Sequence, residues 1–268
     1  MGFYERKQGE LLFYQSDFLQ GSHGFTTRKG GVSTGDLASM NLGVSRGDDR
    51  EHVLKNYEIL GAAVGFDPHK LVGAVQVHRD DVRTVTAEDW GKGLYAHTDY
   101  EADALITNVP ETALMVYSAD CGTLLYEDTK TGAVGACHAG WRGTALGIAG
   151  KTVRAMQEGF GSRPEDIRVA LGPCIGSCCF ETDSDVPEAM IKALGDDAKA
   201  AITPKGEKYY VNIKQINRMW LQRAGIAAEH IDVSPLCTAC DPETFWSYRR
   251  HGDRRGSLAA VIVAGGRP

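Results

Sequence analysis

The sequence predicts an α+β fold, a single domain of mixed β-sheets flanked by helices. Three observations lead there. Seven short apolar runs rich in β-formers are bounded by Gly, Asp or Pro. Only four segments place apolar residues at helical spacing. Strands and helices do not alternate regularly, which argues against a doubly wound parallel sheet. The 268 residues are enough for one substantial core, and no repeat, low-complexity tract or linker divides them, so one domain over 1–268 is expected.

In chain order, the first helical pattern is Glu51–Val64. Strand-like runs follow at Val72–His78, Ala104–Thr107, Ala113–Ser118 and Ala133–His138. A second helix is expected over Gly143–Glu158, although its internal glycines weaken it. Ile167–Leu171 reads as a strand, and Val186–Leu194 and Ile213–Ala224 read as helices. Ile231–Ser234 and Leu258–Val263 complete the strands.

Composition bounds the function. Hydrophobic residues make up 43% and charged residues 24%, as in an ordinary globular protein. A formal net charge of -6 gives no support to nucleic-acid or membrane-surface binding, while local arginines remain able to form a pocket for a small anion. The start, MGFYERKQGE, lacks the apolar core of a signal peptide, and Arg6 stands where a myristoylation signal needs Ser or Thr. No stretch approaches membrane-spanning length. A cytoplasmic protein with reduced thiols is expected, and a monomer, since no strong interface helix stands out. Seven cysteines, an odd number, argue against a disulfide framework.

Three segments carry the chemistry: Gln76-Val77-His78, Ala119-Asp120-Cys121-Gly122, and Cys137-His138-Ala139-Gly140-Trp141-Arg142-Gly143. In each, a His or Cys stands where an apolar strand gives way to a turn, the usual place for a rigid scaffold to present reactive groups. Two His and one Cys form a good ligand set for zinc. Three protein ligands, rather than four, leave a position open for water or substrate and so suggest a catalytic site. The separations, 43 and 17 residues, match no compact zinc pattern. Read alone, His78 is as easily a hydrogen-bonded core histidine and Cys121 a small buried apolar residue. Cys137 alternates with His138 along a strand and is expected to face the core.

Asp120-Cys121 and the segment Cys137–Gly143 resemble the hallmark segments of the laccase-domain family, also described as multicopper polyphenol oxidases or purine nucleoside phosphorylases. Further matching segments are His23–Ser33, Asn41-Leu42-Gly43, Gln76-Val77-His78, Ala102–Thr107, Gly172–Gly176 and Phe245–Arg250, so the resemblance covers almost the whole chain. It implies a single α+β domain of laccase-domain, cysteine-hydrolase-like type. It also implies a zinc site whose ligands match His78, Cys121 and His138, with copper as an alternative occupant. The implied activity is phosphorolysis of adenosine, inosine or methylthioadenosine, with adenosine deamination beside it. A multicopper centre needs about ten histidines in paired clusters. This chain has 8 histidines and no His-x-His pair, so a single-site enzyme acting on purine nucleosides and phosphate is the leading expectation. Alternatives are a copper polyphenol oxidase at the same site, and a Cys121–His138 thiol hydrolase or peptidoglycan-precursor editing amidase.

Substrate contacts are expected from Arg28, beside Gly30-Gly31, and from Arg142, at the start of a helix, each as an anion ligand. Asn41 is the expected partner of ribose or base. For all three the alternative is a structural salt bridge or turn cap. Tyr57 stands where many family members have an arginine, and Arg46 or Arg28 would then substitute. Cys174, Cys178, Cys179, Cys237 and Cys240 contain a candidate second metal site, set against core packing or loop lining. Phe245 or Trp246 would stack on a purine, or else belong to an edge strand.

Overall fold

The computed structural model describes residues 2–265. Its elements begin with β1 (Phe3–Gln8), β2 (Leu11–Ser16), β3 (His23–Thr26), α1 (Arg50–Val64), β4 (Leu71–Val72) and β5 (Val82–Thr84). The central block is β6 (Ala104–Thr107), β7 (Ala113–Ser118), β8 (Gly122–Asp128), β9 (Val134–Ala139), α2 (Trp141–Ala145), α3 (Ile148–Phe160) and β10 (Ile167–Leu171). The chain ends through β11 (Glu181–Thr182), α4 (Asp185–Leu194), β12 (Ile202–Lys205), β13 (Lys208–Val211), α5 (Ile213–Arg223), β14 (Ile231–Val233), α6 (Tyr248–His251) and β15 (Leu258–Val263). The fold is α+β with mixed sheets, as the sequence predicts.

Two six-stranded sheets stack face to face, in the orders β1-β2-β3-β15-β7-β4 and β14-β10-β8-β9-β6-β5. Most neighbours are antiparallel, while β4–β7, β5–β6 and β10–β14 are parallel. Alternation along the strands shows how the layers bury. In β7, Leu114 and Val116 face the space between the sheets, with Leu125, Ala136 and Ile262. Met115 faces the other way, onto Tyr57 and Leu60 of α1. In β8, Leu124 and Tyr126 face outward onto Val153 and Met156 of α3 and Leu221 of α5. Both faces of both sheets are therefore covered, which gives continuous apolar runs rather than alternating ones. A small sheet, β11-β13-β12, packs with α4 at one side.

Two sequence expectations are corrected. The run Val72–His78 is a strand only to Val72. Beyond it the chain curls, and His78 sits at φ 61, because the backbone N–H groups of Val77, His78 and Arg79 turn to the Asp103 carboxylate. The helix Gly143–Glu158 is two helices, broken where Gly147 takes φ 79. Strands β1, β2, β3, β5, β8, β11, β12 and β13 escape the pattern. Most of β1 is an exposed edge, and β8 ends in two acids, one of which, Glu127, is settled by distant partners. Glu127 accepts N–H bonds from Gln20 and Gly21 at 2.6 and 2.9 Å. Among the described residues, no helix is long and apolar enough to cross a membrane.

Candidate active site and metal centre

The site forms where the chain crosses between the two large sheets. β7 ends at Ser118 in one sheet and β8 begins at Gly122 in the other. The link Ala119-Asp120-Cys121 makes that crossing, with Asp120 at φ 87. A non-glycine residue in this conformation must be held by its surroundings. Asp120 is held tightly: its carboxylate accepts from Thr238 Oγ1 at 2.6 Å, Ser247 Oγ at 2.9 Å and Arg249 N at 2.7 Å. That clamp aims Cys121. His138 comes from β9, one strand over from β8, and His78 from the curled segment after β4.

The ligand atoms of His78, Cys121 and His138 all lie within 4.8 Å of one another. The two imidazoles meet edge to face, with centroids 4.8 Å apart and planes at 89°. Asp103, fully buried just before β6, organises both. Its Oδ1 accepts from His138 Nδ1 at 2.8 Å and from His78 N at 3.1 Å. Its Oδ2 accepts from Val77 N and Arg79 N at 3.1 and 2.8 Å. Burial alone would raise this carboxyl, but His138 and the N–H groups outweigh it and hold Asp103 below its ordinary range. With Nδ1 committed to Asp103, His138 presents Nε2 to the site.

Burial likewise opposes the Cys121 thiolate, yet His138 and His78 draw the thiol down to about 6. The His138 imidazole, which burial would push down, is raised by Cys121 and Asp103 to about 9. By contrast, burial pushes the Cys137 thiol up to about 12, and Cys137 lies in the core between β9 and α3. A ready thiolate, a fixed Nε2 and an exposed imidazole form a donor set that fits a borderline-soft divalent cation such as zinc.

The three side chains open onto a cavity of about 870 Å³, roomy for a small organic substrate. Arg46, Arg50, Arg249 and Arg255 supply positive charge around it, while Tyr117, Trp141, Phe180 and Tyr248 supply aromatic surface. Tyr117 is braced by a 2.8 Å bond to Tyr57, whose hydroxyl also donates to Leu42 O. Gln76 pins the same strand through Tyr117 N and O at 2.6 and 2.8 Å. The Arg255 guanidinium donates to Gly256 O, lies 5.5 Å over the Tyr248 ring and carries a buried Nε with no hydrogen-bond partner. Burial first, and then the neighbouring Arg46 guanidinium, push the Arg255 guanidinium below its ordinary range. Two facing cations with an unsatisfied N–H make a place for an anion.

The structure places the three expected substrate contacts, Arg28, Asn41 and Arg142, outside the cavity lining. Arg28 does not line the cavity. Its guanidinium donates to Ala38 O and Pro242 O and lies 3.9 Å over the Trp246 ring. Arg142 is exposed, stacks on Trp141 at 4.3 Å and also lies outside the cavity lining. Asn41 is fully buried. Its Oδ1 accepts from Gly43 N and Ser257 N at 2.9 and 3.0 Å, and its Nδ2 donates to Asp48. Phe245 and Trp246 are buried in their own cluster, and neither lines the cavity nor lies on a strand. Sequence reasoning missed Asp103, Asp120 and Arg255. An acid at the mouth of an apolar strand is a signal for Asp103. Nothing local marks Arg255 within its charged run.

Asn41→Ala is expected to cost about 3 kcal/mol of stability by orphaning two buried N–H groups, which urea denaturation checks.

The family model described as multi-copper polyphenol oxidoreductase laccase matches residues 22–265. The purine nucleoside phosphorylase YlmD of Geobacillus stearothermophilus is 36% identical over 264 residues, covering 97% of this chain and 96% of that protein. The purine nucleoside phosphorylase YfiH of Escherichia coli is 39% identical over 237 residues, covering 88% and 91%. The crystal structure of the Bacillus licheniformis hypothetical protein YfiH superposes with a TM-score of 0.91 at 35% identity, covering 97% and 98%.

Proposed function

The chain belongs to the multi-copper polyphenol oxidoreductase laccase family, and we propose that it is a zinc-dependent purine nucleoside phosphorylase that also deaminates adenosine. The relatives named purine nucleoside phosphorylase support the reaction class. The observation that carries the assignment to this site is the His78, Cys121, His138 triad lining the same cavity as Arg46 and Arg255, whose buried Nε has no partner.

His78, Cys121 and His138 would hold the zinc, which when bound supplies a Lewis acid beside the substrate. Asp103 keeps the His138 proton on Nδ1 and leaves Nε2 free. Arg46 and Arg255 draw phosphate into the cavity. Phe180 and Tyr248 offer ring faces to the purine. In phosphorolysis a phosphate oxygen bonds C1′ of the ribose as the C1′–N9 bond breaks. The purine leaves with the bonding pair and takes up a proton. In deamination water replaces the amine at C6 and ammonia leaves. Neither reaction needs an organic cofactor. The proposal includes a cytosolic monomer, checked by light scattering and fractionation.

A panel of adenosine, inosine and methylthioadenosine with and without phosphate, with products identified, tests the reading. Free base and ribose 1-phosphate formed only with phosphate support it. No turnover of any nucleoside by zinc-loaded enzyme would sink it. Arg255→Gln is expected to raise the KM for phosphate roughly 10–100-fold, the equivalent of one charge-assisted hydrogen bond, and to leave the nucleoside KM within about twofold.

One observation favours a second reading. The Cys121 thiolate, the His138 imidazolium and Asp103 also have the order of a thiol hydrolase: nucleophile, base and orienter. Iodoacetamide separates the two. Protection of Cys121 by zinc, lost on chelation, supports the metal site; rapid stoichiometric labelling with zinc present supports the hydrolase.

A further inference from the structure

Four thiols that the proposed reaction does not use meet on one side of the cavity wall. Cys178 and Cys179 follow Gly176 in the loop after β10, and Cys237-x2-Cys240 lies in the loop after β14. The two loops are joined by an isolated bridge between Cys174 and Cys237 and by Thr238 N donating to Cys174 O at 3.2 Å. Cys240 Sγ stands 3.4 Å from both Cys178 Sγ and Cys179 Sγ, and all four sulfurs lie within 4.8 Å of one another.

We infer that Cys178, Cys179, Cys237 and Cys240 form a second, structural site for a thiophilic divalent cation, zinc foremost. The edge of a zinc–sulfur tetrahedron with bonds of about 2.3 Å is about 3.8 Å, inside the spread of separations these sulfurs already show. Four protein ligands close the coordination sphere, unlike the three-ligand centre in the cavity. Binding replaces four S–H bonds by four sulfur–metal bonds and releases the protons to solvent. The surroundings suit the product. Gly176 N donates to Cys237 Sγ at 3.1 Å. A Cβ at position 176 would press to 3.2 Å from Cys178 Sγ and 3.3 Å from Cys237 Cβ, so a side chain there would push the cradle apart by a few tenths of an ångström. The excess negative charge of four thiolates is met by two guanidiniums: Arg249 donates to Cys179 O at 2.8 Å and Arg250 to Ala239 O at 2.6 Å.

Position gives the site its consequence. One loop carries Ile175 and Phe180 of the cavity wall, and Ile175 N donates to Asp120 O at 2.9 Å. The other carries Thr238, which holds the Asp120 carboxylate beside Cys121. A cation clamping the two loops fixes that wall without touching substrate.

The test uses the full chain, purified reduced and without chelator. Metal analysis is expected to find about two zinc equivalents in wild type, one in His78→Ala and one in Cys178→Ser/Cys240→Ser. Cobalt substitution of His78→Ala is expected to give the intense sulfur-to-metal absorption of a tetrathiolate, absent from the cysteine double variant. Should that variant not fold, an organomercurial added to His78→Ala must release one zinc as four thiols react. Wild-type protein whose zinc all disappears in His78→Ala overturns the inference. So does an intact mass lower by two hydrogens with a Cys178–Cys240 or Cys179–Cys240 disulfide peptide. Either result leaves the cavity centre standing, because that centre is scored on the nucleoside panel.

Discussion

Replacing His78 with alanine is expected to leave the chain folded and to remove both the metal of the cavity site and its activity. His78 is exposed, so truncating it vacates no core. The backbone there is fixed from outside, by its N–H bond to Asp103, rather than by the imidazole. The φ of 61 is borne by histidine already, so its left-handed cost largely cancels and alanine loses at most a few tenths of a kcal/mol there. Losing one of three protein ligands is a far larger effect. Lewis-acid stabilisation of several kcal/mol corresponds to about a thousandfold in rate. The expected result is a thermal transition lowered only slightly, loss of the cavity zinc and a kcat/KM lower by at least about 10³. His78→Asn, with a residue that tolerates positive φ, isolates the ligand effect from the backbone effect. Full activity in either variant would remove His78 from the proposed centre.

Why some of this was legible and some was not follows from where each residue gets its partners. The central strands β6, β7, β9 and β15 read directly as apolar runs, because both of their faces are buried. The exposed edge β1 carries no such mark. Cys121 and His138 sit next to or within strand ends as the pattern suggests, while His78 reaches them from the curled segment after β4, held there by Asp103. Arg28 looked like an anion ligand because of its glycine neighbours. Its fate is decided by Pro242 and Trp246, more than 200 residues away and invisible in a local window. Tyr57, where the resemblance suggests an arginine, spends its hydroxyl bracing Tyr117. Cavity-facing cations come instead from Arg46 and Arg255, brought together from opposite ends of the chain. The general lesson is physical: pattern reports burial, while hydrogen-bond partnership is a long-range property.

Asp103 is the sharpest case of that lesson and supports the second large prediction. One buried carboxylate accepts three successive backbone N–H groups and the His138 ring, so it sets the position of two members of the triad at once. Asp103→Asn keeps the shape but turns part of the acceptor into a donor facing N–H groups. The expected cost is about 3–5 kcal/mol of stability, because buried donors lose a charged partner. Affinity for the cavity metal is expected to fall roughly 10–100-fold, since the second-layer acceptor of a ligating histidine is lost. Stability and affinity separate by comparison with Asn41→Ala, which is destabilised by a similar amount and is expected to keep its metal. The pH dependence has a definite sign. Asp103 is held below its ordinary range, so its contribution is full above the unfolded carboxyl pKa and is lost as pH falls through the folded one. Acid unfolding of wild type should therefore steepen below about pH 4, and the Asp103→Asn curve should be flatter there. An Asp103→Asn protein that binds zinc as tightly as wild type would show that His78 and His138 are positioned by their own strands, and the carboxylate would then be a brace for the fold alone.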